Sequence, residues 1–364
     1  MSTPKRMSLR WTTAAVAAAT LLTAAVAANL PARASELPKT TVKVIGNYST
    51  LLQTKLVERP FWTEKIEKDS NGRITADYNT QDVLGIKDFS LLRLTQSGVA
   101  DAGVGDISKM AGDDPVFEGC DLAGITTDVA TARKACDAWK PVMAEAMAKK
   151  FNARLVALGN NPPIVFWCNK PIKGLADIKG LKVRVFNTTQ SDFVSAIGGT
   201  TVTMAFGEVV PALQRGVVDC ALTGTLSGNT AGWPEVATHL YPLPLGWSIY
   251  YTAVNNDSWK KWGPEVQKFF DKEFASLEDM NWAFGVKATD EGVACNIGKP
   301  SCTLGKKAKM TLVPLSKADA EKRAEIVQNV VLVKWGKRCG KPCAAKWNET
   351  VGKVVGLTIP LDKL

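Results

Sequence analysis

The chain has 364 residues, a net charge of +10, eight cysteines and a single histidine. One histidine excludes a two-histidine metal pair, and the cations are scattered. KKAK at 306–309 is their densest group, which excludes the basic stripe of a nucleic-acid binder. The length exceeds what one core usually holds, so two lobes are expected.

The chain opens on Lys5, Arg6 and Arg10, followed by an uncharged Ala/Leu/Val/Thr run over 11–30 and Ala32-Arg33-Ala34 before Ser35. This is the pattern of a cleavable export signal, residues 1–34, with an uncleaved anchor as the alternative. Cleavage would leave about 330 residues and lower the net charge to about +6. No later segment is apolar enough to span a bilayer.

TVKVIGNYS (41–49) reads as a strand ending in a polar loop. FWTEKIEKDSNGRI follows as an amphipathic helix on which Phe61, Trp62 and Ile66 share a face and Asn71-Gly72 marks the stop. Residues 73–78 read as a strand, 88–98 as a short helix and 99–105 as a strand, the rhythm of a parallel sheet. A helix is expected over 128–151, capped by Asp128, then buried strands at 154–158 and 164–168. Gly159-Asn-Asn-Pro-Pro163 between them suggests a crossing between lobes.

Residues 169–246 repeat the rhythm: strand 182–185, helix 189–196, strand 200–204, helix 207–215, strand 217–222. Residues 247–255 read as a strand returning to the first lobe, and 264–294 as a helix long enough to lie across both. The expected fold class is therefore α/β, with mixed, mainly parallel sheets. The lobes would comprise 35–161 plus 250–285, and 162–249 plus 286–364. Multiple crossings would leave a cleft able to close by hinge motion.

Cysteine spacing suggests Cys295 with Cys302, Cys339 with Cys343, Cys120 with Cys136 and Cys168 with Cys220, among 105 formal pairings. The three residues inside CGKPC suit a structural clip rather than a redox motif. Catalysis finds little support: His239 is isolated in ATHLYPLP, there is no G-x-S-x-G elbow, and Gly103-Val-Gly105 lacks the remainder of a nucleotide loop. No metal or cofactor is expected.

Arg184 lies between Val183 and Val185, so in a strand it leaves the face opposite the valines. There it can grip a carboxylate with two parallel hydrogen bonds, or simply be an exposed arginine on a half-buried strand.

NKPIKGLADIKGLKVRV and MAFGEVVPALQRGVVDCALTG, with FWTEKIEKDSNGRI, GVADAGVG and AVNNDSWKKWGPEVQKFF in that order, resemble the DctP-type solute-binding proteins of TRAP transporters. The resemblance spans roughly 40 to 290. It implies a periplasmic, two-lobe (Venus-flytrap) protein that closes on an organic acid and delivers it to a membrane permease driven by an ion gradient. It places the carboxylate-binding arginine on Arg184 and a polar position on Asn187. The aromatic–acidic pair falls on Phe206 and Glu208, and an often-asparagine position on Thr223. First-lobe positions fall on Asn47, Asp106 and Asn255.

Ile164 stands where sialate-binding relatives carry a second arginine, which suggests a less polar ligand. Tyr48, Trp233 and Trp247 are candidate ligand aromatics, whereas Trp139, Trp259 and Trp335 suit cores or helix faces. Glu208 and Asp106 could accept hydrogen bonds from the ligand or hold Arg184, or be ordinary helix-start carboxylates. The expected state is a monomer working with permease subunits. The alternatives are a periplasmic enzyme acting on a small organic acid and a ligand-binding partner of a sensory receptor.

Overall fold

The computed structural model describes residues 1–3 and 36–364; all but the first three residues of the expected export signal lie outside the described residues. Two mixed sheets carry the fold. The first holds β1 (Thr40–Gly46), β2 (Ile74–Thr80), β3 (Ala102–Asp106), β4 (Ala153–Gly159) and, from late in the chain, β10 (Tyr250–Asn255), in the order β2-β1-β3-β10-β4. The second holds β5 (Ile164–Cys168), β6 (Lys182–Val185), β7 (Thr200–Thr203), β8 (Cys220–Gly224), β9 (His239–Tyr241) and β11 (Thr311–Leu312). Its order is β11-β9-β5-β8-β6-β7. Five of the nine described pairings are parallel.

The strands read near-continuously apolar because helices cover the sheets: β3, β5, β8 and β10 are buried throughout. This is the two-lobe binding-protein architecture, α/β in class.

Three local readings change. The strand expected at 217 starts at Cys220, because Val217 N–H closes a turn onto Ala212 O. The return strand joins its sheet only at Tyr250, because Ser248 adopts a left-handed φ of 46° and turns the chain before it. The long helix begins at Asn256 rather than Pro264 and runs to Asn296. Asn255 caps it by accepting from the N–H groups of Asp257 and Ser258, and it breaks at Gly263 (φ 71°), just before Pro264. It packs on β4 of the first sheet and on the helix Thr225–Thr230 that follows β8 of the second, so it spans both lobes. His239 lies half-buried in β9, its ring against Thr238 Oγ1.

Two segments cross between the lobes and pair with each other. Asn161 N–H donates to Trp247 O (2.9 Å), Ile164 N–H to Gly246 O (2.8 Å), and Leu245 N–H to Ile164 O (2.9 Å). Asn161 Nδ2 also reaches Ser248 O. Buried Asp121 accepts from Trp247 N–H at 3.0 Å. Burial raises its pKa to about 8.

The four disulfides are Cys120–Cys136, Cys168–Cys220, Cys295–Cys302 and Cys339–Cys343. Cys168 and Cys220 are register partners on β5 and β8 and close 52 residues. The C-terminal helices dock through tryptophans. Trp335 and Trp347 join Trp139 of the helix Val129–Phe151 in a chain of rings with centroids 6.1 and 6.2 Å apart. Each indole N–H lands on a backbone carbonyl of the 115–119 turn: Trp139 on Val116, Trp335 on Pro115 and Trp347 on Gly119. A side chain at Gly119 would collide with Trp139, its Cβ meeting Nε1 at 2.2 Å.

Candidate ligand site

The loops at the carboxyl ends of β1, β3, β7 and β8 converge on one small cavity, the usual ligand position of open α/β sheets. Asn47 and Tyr48 follow β1, Asp106 ends β3, Phe206 follows β7 and Thr223 lies in β8.

Arg184 reaches the cavity from β6 and is only 1% exposed. Its Nε and Nη2 both donate to Met204 O (3.1 and 3.0 Å), and Nη1 donates to Leu222 O (2.8 Å). One N–H on each of Nη1 and Nη2 is left uncommitted among the described residues. The guanidinium lies 5.0 Å from the Phe186 ring centroid and 6.0 Å from that of Trp233. Burial pushes its pKa down to about 10, opposed above all by the charge of Asp88, so it stays cationic at neutral pH.

Tyr48 and Phe206 meet across the cavity with centroids 5.2 Å apart, and Trp233 stacks behind Phe206 at 5.6 Å. Lys109, buried on the cavity wall, pairs with Asp88 and lies about 6 Å from the Tyr48, Phe89 and Phe186 rings. Asp106 accepts from Ser108 N–H (2.9 Å), Ser108 Oγ (2.6 Å) and Ser248 Oγ. The enclosed space is about 30 Å³, room for a water rather than an organic acid, so this is a closed form.

Closure is held by bonds between elements of the two sheets. Asn187 Nδ2 donates to Ser108 Oγ, Phe206 N–H to Asp88, and Thr189 N–H and Oγ1 to Glu118. Burial raises the Glu118 pKa to about 7.

Six of the eleven expected ligand residues line the cavity: Arg184, Phe206, Thr223, Asn47, Asp106 and Tyr48. The other five lie elsewhere. Asn187 caps the helix Thr188–Ala196, accepting from Gln190 N–H. Glu208, its side chain 49% exposed, pairs with Lys87 at 3.1 Å. Asn255 caps the long helix and donates to Thr95 O and Gln96 O. Trp233 supports Phe206 from behind. Trp247 sends its indole N–H to Thr126 Oγ1, away from the cavity. Lys109, Asn161, Phe186, Ser227, Ser248 and Leu51 also line it and were not expected. Only Phe186, two residues beyond Arg184 and just past the end of β6, carried a readable cue.

The fold and this cleft between its lobes define a two-lobe periplasmic-type binding protein. Residues 47–333 match the family Bacterial extracellular solute-binding protein, family 7 (DctP), and the chain belongs to that family of receptors rather than to a family of enzymes. It is similar to the C4-dicarboxylate-binding periplasmic protein DctP of Rhodobacter capsulatus, 26% identical over 66% of this chain and 72% of that protein. It is also similar to the sialic acid-binding periplasmic protein SiaP of Vibrio cholerae, 27% identical over 69% of this chain and 78% of that one. Among solved structures, DctP7, a Bordetella pertussis extracytoplasmic solute receptor binding pyroglutamic acid, superposes with a TM-score of 0.75. Its identity is 20%, covering 85% of this chain and 98% of that one, which speaks to the fold.

Proposed function

We propose that this protein is the periplasmic receptor of a TRAP-type transporter. It captures a small organic carboxylate between its lobes through Arg184 and hands it, as a monomer, to membrane permease subunits. The lobes in this reading are 35–161 with 250–285, and 162–249 with 286–364.

The observation that carries the reading is the buried guanidinium. Three of its five N–H groups are fixed by backbone carbonyls, and one on each terminal nitrogen is uncommitted at the cavity. A carboxylate stripped of water needs a charged partner with planar donors, and Arg184 offers both. Asn47, Asp106 and Thr223 supply polar contacts for the rest of the ligand, and Tyr48 with Phe206 supplies an apolar lid. The cavity must widen to admit the acid, so capture is coupled to opening and reclosing about the paired crossing segments. A bound acid then shifts the population toward the closed form the permease reads.

A thermal-shift screen against an organic-acid library tests this. Saturating binders raise the melting temperature; a library with no stabilising acid refutes the reading.

A further inference from the structure

Resting on the carboxylate-capture reading, the charges around the cavity restrict which acid can be taken. Two cations face it, buried Arg184 and Lys109, whose side chain is 7% exposed, and one carboxylate, Asp106. A second carboxylate, Asp88, lies behind them with its side chain 1% exposed. Asp88 Oδ2 takes the Lys109 ammonium and the Phe206 N–H (3.3 Å). Oδ1 is buried without a hydrogen-bond partner among the described residues. Asp88 is also the acidic group acting most strongly on Arg184. Nearby, burial raises the Asp121 pKa to about 8, and Glu208 is half-exposed and paired with Lys87.

The buried charges therefore balance before any ligand arrives. One carboxylate is met by the uncommitted N–H groups of Arg184, whereas a second adds a further negative charge to a buried set that is already balanced. The cation a second carboxylate would need, Lys109, is already neutralised. We infer that Asp88 is a specificity-determining residue: it makes the cleft select a monocarboxylate carrying a neutral polar group over a dicarboxylate of the same shape.

Matched probes isolate the charge: succinate against succinamate, glutarate against glutaramate, and phthalate against phthalamate, titrated calorimetrically at neutral pH. The protein should bind the monoamide at least about tenfold more tightly than its diacid, since like charges brought together in an interface are strongly disfavoured. Asp88→Asn releases Lys109 and should narrow that ratio about tenfold. A diacid bound as tightly as its monoamide by the unaltered protein overturns the assignment, and this arm needs no variant to fold. A folded Asp88→Asn protein with an unchanged ratio overturns it too, while leaving carboxylate capture standing. If none of the six probes binds while other acids of the library do, the assignment falls and carboxylate capture stands.

Discussion

The tryptophan chain and the cleft are both buried, yet they are built on opposite terms. At Trp139, Trp335 and Trp347, every indole N–H is satisfied by a carbonyl of the 115–119 turn and no charge is enclosed. In the cleft, Arg184, Lys109, Asp88 and Asp106 bring four charges out of water. Behind them, Asp88 Oδ1 has no hydrogen-bond partner among the described residues. The first arrangement stabilises through packing plus satisfied polar tips. The second holds donors and acceptors ready for something absent, at a desolvation penalty that stability alone would not retain.

Substitutions can break or sharpen that contrast. The largest effect is expected from Trp335→Ala. Truncating a fully buried indole should cost about 3–5 kcal/mol of stability, read by denaturant unfolding. The affinity of the folded fraction should stay unchanged. Arg184→Lys should act on binding. It should weaken the best acid found in the screen by about 2–5 kcal/mol, read by calorimetry. Unlike in Trp335→Ala, the affinity of the folded fraction falls, although losing bonds to Met204 O and Leu222 O lowers the melting temperature too. An affinity equal to the unaltered protein's would remove Arg184 from the anchor role.

Glu118 supplies a pH test. Its folded pKa, about 7, lies above the unfolded value near 4.5, so the folded form holds the proton more tightly. Its contribution is complete below about pH 4.5 and is lost as pH rises through 7, so melting temperature should fall across that window. Asp121, raised to about 8, and Glu58, raised to about 7, act in the same sense. Glu118→Gln keeps the bond to Thr189 and should flatten the fall by one proton's share; an unaltered profile would contradict this. The smallest effect belongs to Thr223→Val, which removes one cavity hydroxyl. It should weaken ligand binding by about 0.5–1.5 kcal/mol, again by calorimetry.

The periodic parts of the fold were legible. Alternating apolar strands, glycine stops and the Asp128 cap placed most elements within a few residues of their observed limits, the start of the long helix excepted. The short strands β9 and β11 were not read, since two or three residues carry no period. At the site, residues ending strands were readable because topology brings strand ends together. Lys109 and Asp88 were not: in a sequence, a charge in a turn looks solvated, and their burial follows from Tyr48, Phe186 and Phe206 closing over them. Trp247 misled for the converse reason. Its place on a crossing segment suggested the cleft, but the Thr126 hydroxyl draws its ring into the first lobe's interior.

The paired crossing segments have a mechanical consequence. Two extended segments clipped by Asn161–Trp247 and Ile164–Gly246 bonds form a narrow ribbon that flexes across its thin direction but resists sliding along its length. Opening should therefore resemble turning the cover of a book about one fixed spine. Spectroscopic labels at Lys87 and Glu208, opposite each other at the rim, would then separate along a single arc.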